Sequence, residues 1–165
     1  MKLNIVMVEP EIPQNTGNIA RTCAAIGARL HLVHPLGFRI SEKAVKRAGL
    51  DYWDKLQIEE HDSFDVFLKK YKPEQNNIFF VTTKGKHIYS EPKYEEMDEV
   101  YLLFGKETKG LPENILQQYI DKTIRIPMRE TLRSLNLSNS VSIVAYEVLR
   151  HTEFYGLEKI SKYFD

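Results

Sequence analysis

The chain has 165 residues, of which 42% are apolar and 28% charged, so one globular domain can bury a core without disulfide or metal staples. Lysine plus arginine and aspartate plus glutamate both count 23, giving a formal net charge of zero. That balance excludes a basic arm that grips nucleic acid by bulk charge alone, while leaving room for a local basic patch.

Residues 3–8 are a short apolar run ahead of Pro10 and Pro13, which predicts a buried strand. Ile19, Thr22, Cys23 and Ile26 follow at helical spacing and Gly27 is the natural stop, so residues 13–18 read as a loop leading into a helix with Arg21 in or near its first turn. Residues 30–33 predict a second strand. Residues 41–50 and 63–71 predict helices, each with a serine as N-cap; Phe64, Phe67, Leu68 and Tyr71 form the stripe of the second. Residues 78–81 and 100–104 predict buried strands, the second ending at Gly105. Pro112 suits the first position of a helix with Ile115, Leu116 and Tyr119 inward. A short strand at 124–126 precedes a last helix from about 139 to 151, with Val141, Val144, Ala145 and Val148 inward. Strands alternating with helices predict an α/β fold with a mostly parallel sheet, whose ligands bind beyond the carboxyl ends of the strands.

Cys23, the only cysteine, lies on an apolar stripe and reads as a buried small hydrophobe. The five histidines are scattered without HExxH spacing, so no metal is expected. No apolar run approaches the ~18 residues a membrane helix needs, and residues 1–8 are too short for a secretory signal. The expectation is a single cytoplasmic domain over residues 1–165, with no membrane partner.

Three loops concentrate chemistry. In 13–21, Asn15, Gly17 and Asn18 enter a helix whose N–H groups could cradle a ligand, with Arg21 close behind; a plain N-cap at Asn15 or Thr16 is the simpler alternative. In 104–112, Gly105 and Gly110 flank a charged stretch. The spacing resembles a phosphate-binding loop, but Leu111 and Pro112 stand where Lys and Ser/Thr are needed, and no GxGxxG occurs anywhere. In 126–140, Ser134, Asn136, Ser138, Asn139 and Ser140 exceed what one turn and one cap require, and Arg129 and Arg133 add positive charge. Lys43, Lys46 and Arg47 share a predicted helix face with Tyr52 and Trp53 nearby, an RNA-facing patch or a solvated face.

These motifs, in this order, resemble the SPOUT RNA methyltransferases, and most closely the short TrmL-type tRNA 2′-O-methyltransferases of the wobble nucleotide. The residues that carry the resemblance are 9–21, 47–52, 82–85, 104–112, 125–128 and 133–142. The resemblance implies a C-terminal trefoil knot in the sheet, a homodimer, and S-adenosylmethionine as cofactor. It implies cofactor contacts at Val81, Leu103, Gly105, Ile126, Met128, Ser134, Leu135 and Asn139. Catalytic roles would fall to Arg21, Asn15, Glu107, Ser134 and Asn136. The anticodon stem-loop of tRNA, with leucine tRNAs as the implied substrates, would meet Arg21, Arg129, Arg133, Lys43, Arg47 and Tyr146. An arginine stays protonated in proteins, so Arg21 is expected to clamp phosphate rather than act as a base. The rival readings are a same-fold methyltransferase of ribosomal RNA and a non-enzymatic RNA-binding or cofactor-sensing module.

Overall fold

The computed structural model describes residues 1–40 and 55–163. The predicted helix at 41–50, with Lys43, Lys46 and Arg47, and the motif at 47–52 lie outside the described residues. Among the described residues, seven strands form one parallel sheet: β1 (Lys2–Val8), β2 (Arg29–Val33), β3 (Ile58–His61), β4 (Ile78–Val81), β5 (His87–Ile88), β6 (Glu99–Phe104) and β7 (Thr123–Arg125). Their order across the sheet is β3-β2-β1-β6-β4-β7-β5. Central β1 pairs in parallel with β2 on one side and β6 on the other, so the chain winds both ways from β1.

Helices α1 (Pro13–Ile26), α2 (Phe64–Tyr71), α3 (Glu113–Gln118) and α4 (Leu137–His151) cover both faces. Leu3, Ile5 and Met7 of β1 and Leu102 of β6 meet Ile19 and Cys23 of α1 and Val144 and Val148 of α4. Val6 and Val8 of β1, Leu103 of β6 and Phe80 of β4 meet Phe64 and Phe67 of α2 and Leu116 of α3. This two-sided cover is why β1 and β6 are nearly continuous apolar runs rather than alternating ones. Each Val, Leu or Ile fully removed from water here contributes roughly 1.5–3 kcal/mol. Cys23 is fully buried, and that burial pushes its thiol up to about 12.

Helix α1 starts five residues before Asn18, at Pro13, so residues 13–18 are its first turns and not a loop; Arg21 is the ninth helical residue. The cap is Ile12, and neither Asn15 nor Thr16 takes that position. Asn15, Thr16 and Gly17 are buried in the fold, so tertiary packing overrides their weak helix propensity. Ser63 caps α2 as expected, accepting from the Val66 N–H at 3.2 Å. Pro112 is the N-cap of α3 rather than its first residue, and α4 begins at Leu137, two residues before the expected start. β7 lies one residue earlier than expected.

Candidate active site

A pocket of about 580 Å³ opens at the carboxyl ends of β4, β6 and β7 and is flanked by Ile12 and Asn15 at the start of α1. Its size suits a drug-sized ligand. The three loops that wall it, 81–84, 104–111 and 126–137, are held together by side chains that bond backbone and one another.

Glu107 is the hub. Its Oε2 accepts from the Glu11 N–H at 2.8 Å, and its Oε1 accepts from the Ile12 N–H at 3.1 Å and from Asn15 Nδ2 at 3.2 Å. A carboxylate therefore sits at the N-terminus of α1, where the helix dipole favours it and where no side chain of α1 supplies a cap. The N–H groups that Glu107 takes up belong to Glu11 and Ile12, ahead of the 13–18 stretch expected to cradle a ligand. Asn15 Oδ1 in turn accepts from Asn136 Nδ2 at 3.1 Å. Asn136 Oδ1 caps α4 by accepting from the Ser138 and Asn139 N–H groups at 2.9 and 3.3 Å. One chain of hydrogen bonds thus ties the loop after β6 to the starts of α1 and α4.

Two further carboxylates clip the same loop. Glu9 Oε2 accepts from Lys106 Nζ at 2.5 Å, and this bond raises the lysine's pKa. Thr108 donates to Glu11 from its hydroxyl at 2.8 Å and from its N–H at 3.1 Å, and these bonds hold the Glu11 carboxyl below its ordinary range. Gly105 serves the loop's own closure: a Cβ there would lie 2.1 Å from the Gly110 carbonyl carbon. Gly110, at φ +69°, takes the left-handed turn that brings the backbone back. A side chain at position 105 would therefore collide with the loop itself.

Val81, Gly105, Ile126, Met128, Ser134 and Leu135 all lie on the pocket wall, as do Asn15, Glu107, Asn136 and Arg133. Leu103 and Asn139 do not. The Leu103 side chain packs in the core shared with α2 and α3, and the Asn139 N–H is spent on the cap. Arg21 is exposed on α1, off the lining, six residues or about 9 Å of helix rise beyond Asn15. Arg129 is exposed in the turn closed by the Leu132 N–H to its carbonyl, and Tyr146 is 47% exposed on α4. Of the five small polar residues near α4, Asn136, Ser138 and Ser140 are used by the cap itself: Ser138 Oγ donates to Asn136 Oδ1 at 2.7 Å and Ser140 Oγ to the Asn136 carbonyl at 3.1 Å. Reading the sequence did not single out Ile12, Thr82, Thr83, Lys84 or Leu116 as site residues, although they line the pocket. The threonine pair directly after a buried strand was a usable signal; Ile12 gave none.

The pocket can take a flat apolar ring against Val81, Ile126, Met128 and Leu135, with the Thr82, Thr83 and Ser134 hydroxyls offering polar contacts. Its lining carries Lys84, Lys106, Lys109 and Arg133 beside Glu107, with Lys84 paired to Glu113 and Lys106 to Glu9 just outside the wall, so cations and carboxylates alternate around the pocket.

Comparison with known proteins gives the same direction. The model of the SpoU rRNA Methylase family matches residues 2–146. A Saccharophagus degradans protein named tRNA (cytidine(34)-2′-O)-methyltransferase is 48% identical over 155 residues, covering 93% of this chain and 97% of its own. A solved structure described as giving insight into 2-OH methylation of C/U34 on tRNA is 44% identical with a TM-score of 0.85, over 92% of this chain and 97% of its own. An rRNA methyltransferase from Sinorhizobium meliloti, solved with AdoMet bound, is 25% identical with a TM-score of 0.80, over 91% of this chain and 56% of its own.

Proposed function

The chain belongs to the SpoU rRNA methylase family, and from that premise we propose that it methylates the ribose 2′-hydroxyl of nucleotide 34, the wobble nucleotide, of tRNA, using S-adenosylmethionine. The observation that carries this reading is the cross-tied pocket at the carboxyl ends of β4, β6 and β7 in a chain that matches a tRNA wobble methyltransferase over 93% of its length.

S-adenosylmethionine supplies an already activated methyl group. The protein's task is then to hold the ligand and to bring one ribose hydroxyl into line. Val81, Ile126, Met128 and Leu135 offer apolar walls to the adenine and the methionine chain, and Ser134 and the loop backbone offer polar contacts. Glu107, Asn15 and Asn136 act as positioning residues, because their polar atoms are committed to one another and to the starts of α1 and α4. Arg21, exposed and away from the pocket wall, grips RNA phosphate and orients the ribose; as a permanent cation it does not take the proton. Arg129 and Arg133 add cations for the anticodon stem-loop. Lys43 and Arg47 are kept in this role on their sequence alone.

The working unit is a homodimer of single-domain chains, with α4 at the interface. The exposed Ile143 and Tyr146, 38% and 47%, lie three residues apart on one side of that helix and support this reading. A trefoil knot in the 82–137 region is supported by the tight crossing of backbones, where a Cβ on Gly85 would lie 2.4 Å from the Ile124 carbonyl carbon. The cytoplasm is the expected compartment; among the described residues no helix is long and apolar enough to cross a membrane.

Labelled methyl transfer from S-adenosylmethionine to bulk tRNA, with ribosomal RNA as the competing substrate, tests the proposal. Label in a 2′-O-methylated nucleoside of tRNA is the expected result; label confined to ribosomal RNA, or none with either, overturns it. Sedimentation at twice the 19.3 kDa chain mass is expected for the dimer.

A further inference from the structure

The histidines that look scattered in sequence are not all apart in space. The parallel register of β2 and β3 sets His31 beside Glu59, with His61 two residues on, so all three project to one face of the sheet beneath α2. His31 and His61 are 0% and 4% exposed. His31 Nδ1 lies 3.0 Å from His61 Nε2. Glu59 turns one oxygen towards each ring, Oε2 at 3.9 Å from His31 Nδ1 and Oε1 at 3.7 Å from His61 Nε2. Ligand atoms around a tetrahedral zinc ion with bonds of about 2.0–2.1 Å stand ~3.3 Å apart. Taken with one oxygen of Glu59, the three ligand atoms lie within 4.8 Å of one another, so the carboxylate must draw in by roughly 1 Å to seat an ion.

Asn4 fixes which nitrogen of His31 is available. Its Nδ2 donates to Glu99 Oε1 at 3.1 Å and to the Val100 carbonyl at 3.3 Å, which leaves Oδ1 to accept the Nε2–H of His31 at 3.1 Å. The hydrogen of neutral His31 is therefore on Nε2, and the Nδ1 lone pair faces His61 and Glu59. This is the outer contact that orients a metal-binding imidazole. The Tyr71 hydroxyl steers the carboxylate by donating to Glu59 Oε1 at 2.9 Å. Phe67, Tyr71 and Tyr101 wall the cluster, their ring centroids 5.5–6.0 Å from that of His31. None of these residues lines the pocket.

We propose that His31, His61 and Glu59 form a binding site for a divalent transition-metal ion of the zinc class, which ties the edge strand β3 to β2. Imidazole and carboxylate ligands suit such an ion, and His31 and His61 reach the site already neutral. Without the ion, one hydrogen on His61 Nε2 holds the two rings together. Binding moves that hydrogen to Nδ1 of the same ring, so both imidazoles stay neutral and Glu59 answers the charge of the ion. Lys70 competes directly, since its ammonium donates to Glu59 Oε1 at 2.5 Å.

The test is titration of the metal-stripped full chain with Co²⁺ alone, read by visible absorption, followed by displacement with Zn²⁺. One Co²⁺ per chain is expected, with the intense bands of a four-coordinate nitrogen–oxygen site. His61→Gln and Glu59→Gln should each weaken binding at least about tenfold. Glu59→Gln keeps the test valid if the buried histidine variant fails to fold, because the Glu59 side chain is 26% exposed. Lys70→Ala should tighten binding by freeing the carboxylate, a response that a plain histidine–histidine hydrogen bond would not give. Absence of the bands, binding unchanged in Glu59→Gln, or binding weakened in Lys70→Ala overturns the proposal.

Discussion

The pocket end and the β2–β3 edge both rest on polar side chains, and they use them in different ways. At the pocket, Glu107 gives its oxygens to two backbone N–H groups and to Asn15, and Asn136 gives its oxygen to the start of α4. These side chains stand where helix ends leave donors unmet, at the margin of the solvent, and they fix the shape of loops. At the β2–β3 edge the polar groups bond mainly one another inside a wall of aromatic rings, and His31 is fully buried. There a charge is expensive, so the imidazoles stay neutral. A carboxylate can serve as structure where backbone donors surround it, while a buried base serves best uncharged.

The largest effect should come from an exposed residue off the pocket wall. Arg21→Ala should lower methyl transfer by ~100-fold or more while leaving S-adenosylmethionine affinity nearly intact, because the loss is of a group that positions the nucleophile. Arg21→Lys should rescue little, since a point charge does not replace a planar fork on phosphate. Isothermal titration beside single-turnover transfer would separate the two quantities, and near-normal turnover in Arg21→Ala would remove this residue from the site.

Glu107→Ala strikes the pocket network at its hub. Two N–H groups and Asn15 lose their acceptor, and each hydrogen bond to a charged group is worth about 1.5–3 kcal/mol. Cofactor affinity and melting temperature should fall together, unlike in Arg21→Ala. Calorimetry showing unchanged affinity would mean that the carboxylate does not hold the pocket's shape.

The buried edge should announce itself through pH. Desolvation lowers the pKa of His31 from 6.5 to about 4, so between these values the unfolded chain binds more protons than the folded one. The stabilisation is full above pH 6.5 and is lost as pH falls towards 4. Urea unfolding of metal-free protein should show a lower midpoint at pH 5 than at pH 7, and an equal midpoint would contradict a neutral buried pair.

The smallest effect belongs to the Glu11–Thr108 clip. The hydrogen bonds from Thr108 lower the Glu11 pKa, so their support is present above the ordinary carboxyl range and fades as pH falls through the lowered value. Thr108→Val removes the hydroxyl donor, so an NMR titration should find the Glu11 carboxyl moved back up, with stability almost unchanged.

The sequence makes the centre of the sheet legible and the edges obscure. β1 and β6 are buried on both faces and so appear as continuous apolar runs. β3, with Glu59 and Glu60 in four residues, and the two-residue β5 lie at opposite edges and carry no such signal. The start of α1 was hidden because its first turns contain Asn15, Thr16, Gly17 and Asn18, poor helix formers held in place by burial and by a carboxylate more than ninety residues away. The pocket loops were visible as clusters of small polar residues and glycines. Which of those residues cap helices and which face a ligand depended on contacts between loops, such as Asn15 with Asn136, that spacing does not encode. The histidine cluster was invisible for the same reason, since strand register alone brings His31 and His61 together.

The most direct test of the central claim is to map the methyl group. Bulk tRNA incubated with the protein and labelled S-adenosylmethionine is cut into defined fragments, and the 2′-O-methylated nucleoside is located by mass spectrometry. The account predicts label on the ribose of nucleotide 34, in the anticodon loop, and its loss with Arg21→Ala. Label at another nucleotide, on a base rather than a ribose, or retained in full in Arg21→Ala would contradict it.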